Sequence, residues 1–270
     1  MTAKNYLELA KKEVEEKLKD STILYIGLYG SQNYALDTPN SDYDFIAIVL
    51  PTLERLLWEK PTTNKLKYEF GEIVVKDFRA MLGQWKKGSV NFNEILFTET
   101  YYINESYLPY MKWFRENAEQ IAHVNERATI LAMIGMMKER LQNFDNPTIS
   151  QREDVKQYGY SLKALSNIYR LHSMVVNYKF TPYAEVLNPF INKQKKLTDL
   201  QATRTDAISI KNHVCEYDKD KAFEIANKKL EEANNYFDQH KDLFESCNFE
   251  LYNKIKEKAT EIYAFHYGIK

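Results

Sequence analysis

Two aspartates two residues apart, Asp42 and Asp44, stand at the head of the apolar run Phe45-Ile46-Ala47-Ile48, and Gly30-Ser31 precedes them by ten intervening residues. In a strand, positions i and i+2 project from one face, so both carboxylates are expected to converge on one point. Convergent carboxylates repel unless protonated or bridged by a cation, and an all-oxygen donor set suits Mg²⁺ or Mn²⁺. Gly30 lets backbone approach a ligand closely, and Ser31, read as opening a short helix, offers a hydroxyl and a backbone N–H to an anion. A phosphate cradle beside a two-carboxylate cation site is equipment for phosphoryl or nucleotidyl transfer. Alone, Ser41-Asp42-Tyr43-Asp44 reads as a surface turn capping a strand; the Gly-Ser turn at this spacing, flanked by strands, favours the site.

These residues need strands to hold them. Residues 23–28 form a six-residue, β-rich apolar run of buried-strand length, and Phe45–Leu50 is a second such run ended by Pro51. Leu66–Phe70 and Glu72–Val75, split by Gly71, read as two further strands or a hairpin. Ahead of them, Lys4–Lys19 places Tyr6, Leu7, Ala10, Val14 and Leu18 at helical spacing. After Lys76 the period is near 3.6, with helices expected over 77–86, 91–97, 105–117, 119–144, 152–178, 184–194, 219–239 and a last one to about 263. The fold class is therefore α+β: a small mixed-sheet head over 1–100, then a helical domain over 101–270.

Composition narrows the partners. With 44% apolar and 28% charged residues the chain has the make-up of an ordinary globular protein, and only 8 Gly and 7 Pro favour long helices over a turn-rich sandwich. Lys plus Arg (37) balances Asp plus Glu (38), so any nucleic-acid surface must be local rather than global. The 20 tyrosines fit half-buried seams better than base stacking. Cys215 and Cys247 have no Cys-x-x-Cys or His-rich neighbourhood, which excludes a disulfide framework and a thiolate zinc site. The charged first 20 residues lack a signal-peptide core, and the apolar stretch 128–137 is too short for a bilayer. A soluble, cytoplasmic protein with no membrane partner is expected.

Ile26-Gly27-Leu28-Tyr29-Gly30-Ser31 followed by Asp42-Tyr43-Asp44-Phe45 resembles the signature of the minimal nucleotidyltransferases of the DNA polymerase β type. The whole stretch from Gly30 to Asp44 is similar to nucleotidyltransferases of bacteria and large phages that include RNA-ligase-associated polymerases. Lys87-Gly88-Ser89-Val90-Asn91-Phe92-Asn93-Glu94-Ile95-Leu96 matches their Lys-Gly-Asn-Pro-Asn-x-x-Glu segment, with Ser89-Val90 in place of Asn-Pro. The resemblance covers roughly residues 22–180. It implies that Asp42 and Asp44 hold two metal ions, and that a third carboxylate from a neighbouring strand acts as general base and metal ligand. Glu72 is the candidate, where the family usually has Asp; Asp77 and Glu69 compete, Asp77 reading better as a helix cap.

In the second half, Lys156, Lys163 and Arg170 recur every seven residues, one helical stripe shared by Tyr160 and Asn167. Tyr160 to Leu171 resembles the family's Tyr-x-x-Lys-x-x-x-His-x-x-Arg-Leu, with Asn167 at the His position. Lys163, Asn167 and Arg170 are thus nucleotide-binding candidates beside Gly30 and Ser31, the two cations clamping the triphosphate. The five histidines show no metal-ligand spacing, Met133, Met136 and Met137 read as core, and 193–211 reads as a basic loop that could track a nucleic-acid backbone. The implied function is metal-dependent transfer of a nucleoside monophosphate from an NTP to an acceptor hydroxyl, releasing pyrophosphate. An RNA 3′ end is the favoured acceptor, with a protein, nucleotide or small molecule as alternatives. A catalytically silent nucleotide- or nucleic-acid-binding module and a helical interaction protein are the competing classes. Neither accounts for an intact Gly-Ser and Asp-x-Asp.

Overall fold

In the computed structural model of the chain, described over residues 2–39, 41–59, 61, 63–144, 146–190, 198–213 and 217–269, the two apolar runs become the centre of a sheet. Strand β1 (Ser21–Tyr29) pairs antiparallel with β2 (Asp44–Pro51). On its other side β2 pairs in parallel with β4 (Gly71–Asp77), which pairs antiparallel with β3 (Thr63–Tyr68). A short strand that the sequence reading missed, β5 (Tyr101–Ile103), pairs with β1 and completes the order β3-β4-β2-β1-β5. The expected mixed sheet in an α+β fold is present.

Alternation divides the sheet's side chains between two cores. Helix α1 (Ala3–Lys17) lays Leu7, Ala10 and Val14 over Ile26, Phe45, Ala47, Val49, Ile73 and Val75. The other face, with Ile46 and Ile48, is covered by Phe78, Met81 and Trp85 of α3 (Phe78–Lys86). Also on this side are Phe114 of α5 (Leu108–Glu116) and Ile255 and Ile262 of the last helix, Phe249–Tyr267. Two shorter helices lie between, α2 (Leu53–Trp58), which lacks a buried residue and escaped the sequence reading, and α4 (Val90–Glu94).

Two compact units result. The first comprises residues 1–33, 39–126 and 246–270; the second comprises 34–38 and 127–245. The expected single cut near residue 100 falls inside the first unit, because the final helix returns to its core. The second unit is built on α9 (Leu162–Asn177), against which α11 (Asp199–Lys211) and α12 (Lys219–His240) pack. Met133 and Met137 are buried, Met136 only partly. Among the described residues no helix is long and apolar enough to cross a membrane.

Several expected helices are interrupted, each for a local reason. The 152–178 pattern breaks into α8 (Arg152–Tyr158) and α9, because Gly159 at φ 80° caps α8 in the left-handed region. The 119–144 pattern breaks at His123–Asn125 into α6 (Ala118–Ala122) and α7 (Glu126–Gln142). Helix α10 (Tyr183–Leu187) stops well short of 194; residues 191–197, with Lys195 and Lys196 of the basic segment, lie outside the described residues, as does Cys215. The remainder of that segment is helix rather than loop: Arg204 is buried in α11, and Lys211 donates to the Leu36 carbonyl.

The break between α6 and α7 carries a titratable device. Burial disfavours the His123 imidazolium, but Glu126 (3.1 Å from Nδ1) and Glu119 (3.4 Å from Nε2) together outweigh it and raise its pKa to about 9. A folded-state pKa above the unfolded value of about 6.5 gives stability that is complete below that value and lost as pH rises through about 9. Between pH 6 and 9.5 the wild type should therefore lose on the order of 1–2 kcal/mol more unfolding free energy than His123→Gln, allowing for solvent screening. Urea titrations at the two pH values measure the difference; equal losses would contradict it.

Candidate active site

Three strand ends meet where the sequence places its chemistry. Tyr29, the last residue of β1, pairs with Asp44, the first of β2, so the Gly30-Ser31 turn begins beside the Asp44 carboxylate. Gly30 has φ 90°, a conformation that side-chain-bearing residues rarely adopt, and a Cβ added there would sit 3.8 Å from Asp44 Oδ2. On the other flank the parallel β2–β4 register aligns Phe45 with Ile73, which puts Glu72 on the same sheet face as Asp44. The Glu72 amide donates to Asp44 Oδ1 at 3.0 Å.

Gly71 makes that approach possible. A Cβ at this position would lie 2.5 Å from the Tyr43 carbonyl oxygen and 3.1 Å from Asp44 Oδ1, so only glycine lets β4 start so close to β2. Strand β2 begins at Asp44, which leaves Asp42 on the extended lead-in, exposed, rather than on the strand itself. The two carboxylates nonetheless share a neighbourhood. Burial raises the Tyr68 phenol above its ordinary value, and the charges of Asp44 and, more weakly, Asp42 raise it further.

Ser31 is half-buried and opens a turn, not the expected short helix. The Asn33 amide donates to the Gly30 carbonyl at 2.9 Å to close that turn. Its main anchor is a residue to which the sequence reading gave no role. Glu94, fully buried at the end of α4, accepts the Gly30 N–H on Oε1 at 2.6 Å, a bond across 64 residues. Asn33 reinforces it by donating to the Leu28 carbonyl at 3.1 Å. An acid set inside the apolar stretch Phe92–Leu96 was the available signal, because a buried carboxylate requires donors. Its neighbour Asn93 is also fully buried, and its side-chain amide makes no hydrogen bond.

The rivals for third carboxylate separate cleanly. Asp77 pairs with Val49 at the far end of β4; it is 1% exposed, caps α3 through the Arg79 N–H at 2.8 Å and ion-pairs with Arg79 Nη2 at 2.7 Å. Glu69 is exposed in the β3–β4 turn. Glu72 alone is adjacent to Asp44, and its side chain meets Lys65 Nζ at 2.9 Å in a largely exposed pair, weak enough to exchange. Asp42, Asp44 and Glu72 supply only oxygen donors, which fits Mg²⁺ or Mn²⁺ in type. Among the described residues no three acidic, His or Cys side chains are already gathered as a ligand set.

The cation stripe of the second half does not form as one row. Lys156 lies on α8, beyond the Gly159 break, and Tyr160 is buried against Phe144 instead of sharing a charged face. On α9 Lys163 is exposed, and Asn167 turns back to the Lys163 carbonyl at 2.8 Å. Arg170 is 2% exposed, its guanidinium 4.0 Å from the centre of the Tyr34 ring. Arg204 donates to the Tyr34 carbonyl, and burial, then the Arg170 charge, lower its pKa. Thus two buried arginines hold Tyr34, the first residue of the 34–38 stretch that belongs to the second unit.

The Glu94 anchor is open to direct test. Glu94→Ala should speed hydrogen exchange of the Gly30 amide by at least about tenfold, since it removes a buried acceptor. Glu94→Gln, which keeps a carbonyl oxygen at the same reach, should change it less. Unaltered exchange in Glu94→Ala would show that the turn is held by other means.

A family profile described as RlaP, RNA repair pathway DNA polymerase beta family, matches residues 1–257. Among solved structures the chain is similar to a nucleotidyltransferase-like protein from Exiguobacterium sibiricum 255-15, with 9% identity, a TM-score of 0.29, and coverage of 87% of this chain and 75% of that one. Comparison with curated proteins gives no match. The profile runs through the Gly-Ser turn, the paired aspartates, Glu72 and the Glu94 anchor and on into the final helix, and the chain therefore belongs to the RNA repair pathway DNA polymerase beta family, as a nucleotidyltransferase.

Proposed function

We propose that the chain transfers a nucleoside monophosphate from an NTP to an acceptor hydroxyl at the sheet end formed by Gly30, Ser31, Asp42, Asp44 and Glu72. The observation that carries this reading is the Glu72 amide on Asp44 Oδ1, which sets a second strand's acid beside the aspartate pair and the glycine turn. In the reaction the acceptor oxygen forms a bond to the α-phosphorus, the α–β bridging bond breaks, and pyrophosphate leaves with the electron pair. Glu72, released from Lys65, takes the acceptor proton. Gly30 and Ser31 offer backbone and hydroxyl donors to the phosphate oxygens, and Glu94 keeps their turn in place. Asp42 and Asp44 hold the divalent cations, which when bound offset phosphate charge.

Lys163 is the accessible cation of α9 and is assigned to the nucleotide's phosphates. Arg170 contributes through Tyr34, and Asn167 fixes the start of α9 through Lys163. An RNA 3′ end is the acceptor this reading favours, supported by the RNA repair description of the family. Residues 1–100 would carry the chemistry and the helical remainder substrate handling.

Incubating the purified chain with each α-labelled NTP, Mg²⁺ or Mn²⁺ and single-stranded RNA should label the RNA. Asp42→Ala and Asp44→Ala should abolish labelling; Asp42→Ala should leave stability equal or higher, because it removes like-charge repulsion from the metal-free site, whereas Asp44→Ala also removes the acceptor of the Glu72 amide and should cost about 1 kcal/mol. Unchanged turnover in either variant would exclude the two-carboxylate mechanism.

Glu72→Gln keeps size but cannot accept a proton, so turnover should fall at least about 10²-fold with NTP affinity much less affected. Asp77→Asn should act on stability instead. If Asp77→Asn lost turnover and Glu72→Gln kept it, the third acid would be Asp77.

A further inference from the structure

The second unit contains a cavity of about 660 Å³ that none of the residues assigned to transfer lines. Its walls are unusually aromatic and polar at once. Tyr158 ends α8, Gly159 at φ 80° reverses the chain, and Tyr160 follows, so that one turn presents two phenols to the same space. His213 and Tyr217 line it as well, the His213 ring in contact with that of Tyr158 at 4.5 Å between centroids. Tyr160 is backed by the stacked Phe144 ring and is fixed, whereas Tyr158 and Tyr217 are half-buried with ring surface open to a ligand. His213 holds φ 61°, the left-handed conformation usual just past a helix C-cap, here Asn212 of α11.

From this arrangement we infer that the cavity binds an unpaired nucleobase. Four aromatic side chains around one cavity suit a planar ring, and every base offers one. The two polar lining groups match a base edge: the Gln157 carboxamide both donates and accepts, and the Asp218 carboxylate accepts from an exocyclic amine. Asp218 caps α12 through Oδ1 alone, at 2.7 Å from the Lys221 amide, which leaves Oδ2 to the ligand. Lys219, next in the chain to Asp218, packs its side chain against Gly159, with 3.2 Å between its Cβ and the position of a Cβ added there, and its ammonium lies 5.4 Å from the centre of the Phe223 ring. The volume falls in the ordinary range for a small-molecule site and accommodates one nucleotide, so the ligand is a base carried on phosphate and ribose. A lipid or an apolar peptide segment would find too many hydrogen-bonding groups in the wall. The inference goes beyond the transfer reaction and involves none of its residues.

The base can come from a single strand or from a free nucleotide, and two arms separate these sources. In one, the full chain is titrated into a ten-nucleotide single-stranded RNA carrying 2-aminopurine, and into an abasic strand of equal length; in the other, ATP is titrated with Ca²⁺ replacing Mg²⁺. Stacking in the cavity should quench 2-aminopurine in the wild type. Tyr158→Ala and Tyr217→Ala should each weaken binding of the base-bearing ligand by about tenfold, the scale of one base–aromatic stack, while the Phe variants retain it. Binding of the abasic strand should not respond. A response confined to the RNA arm assigns the cavity to a strand, and one confined to ATP assigns it to the nucleotide. Absence of quenching in the wild type, or alanine variants that bind both ligands as the wild type does, overturns the inference. Labelled-nucleotide transfer on the same preparations keeps the two readings apart: transfer without base binding removes the cavity's role and leaves the transfer site standing.

Discussion

The Asp44 carboxylate accepting the Glu72 amide is the contact on which the candidate site depends. It exists only because β2 and β4 run parallel in one register and because Gly71 has no side chain to hold them apart. A parallel pair needs a crossover, and α2 with β3 supplies it. Two hydrophobic layers then hold the register, since a one-residue slip would exchange Phe45 and Ile73 for Asp44 and Glu72 in the core beneath α1. The acids are thus kept at the sheet end by the apolar residues that follow them. Glu94 does the same for the turn, tying Gly30 to a helix that buries Val90 and Phe92.

Much of this was legible in residue order. Strands over 23–28 and 45–50 were visible as short apolar runs, and Gly30, Ser31, Asp42 and Asp44 by type and spacing. Their extension to Ser21–Tyr29 and Asp44–Pro51 follows from pairing, which a single strand cannot reveal. Glu72 was a candidate only through the family resemblance; its place beside Asp44 required the sheet order, because its distance in sequence from Asp44 says nothing about which strand lies beside β2. Glu94 was hidden for the opposite reason: within Phe92–Leu96 it reads as an isolated polar residue on a short helix. Only the fold shows that its carboxylate meets a backbone amide 64 residues away.

The second unit shows where periodicity misleads. A seven-residue interval promised one cationic row from Lys156 to Arg170, but the promise holds only for an unbroken helix, and Gly159 ends α8. Cationic residues then meet different fates. Lys163 stays in solvent, while Arg170 and Arg204 are buried, because guanidinium can stack on a ring and serve several carbonyls where a lysine would lose its hydration. Both arginines hold Tyr34, which belongs with them to the second unit.

The central claim is that the glycine turn, the two aspartates and the start of β4 are one cation- and phosphate-binding centre. Paramagnetic broadening of backbone amide NMR signals during a Mn²⁺ titration of the full chain tests it most directly. The account predicts that Gly30, Ser31, Asp42, Asp44, Gly71 and Glu72 broaden together at the lowest Mn²⁺ concentrations, and that Asp44→Ala abolishes the broadening at all of them. Broadening that begins elsewhere in the chain, or that persists at the turn in Asp44→Ala, would contradict it.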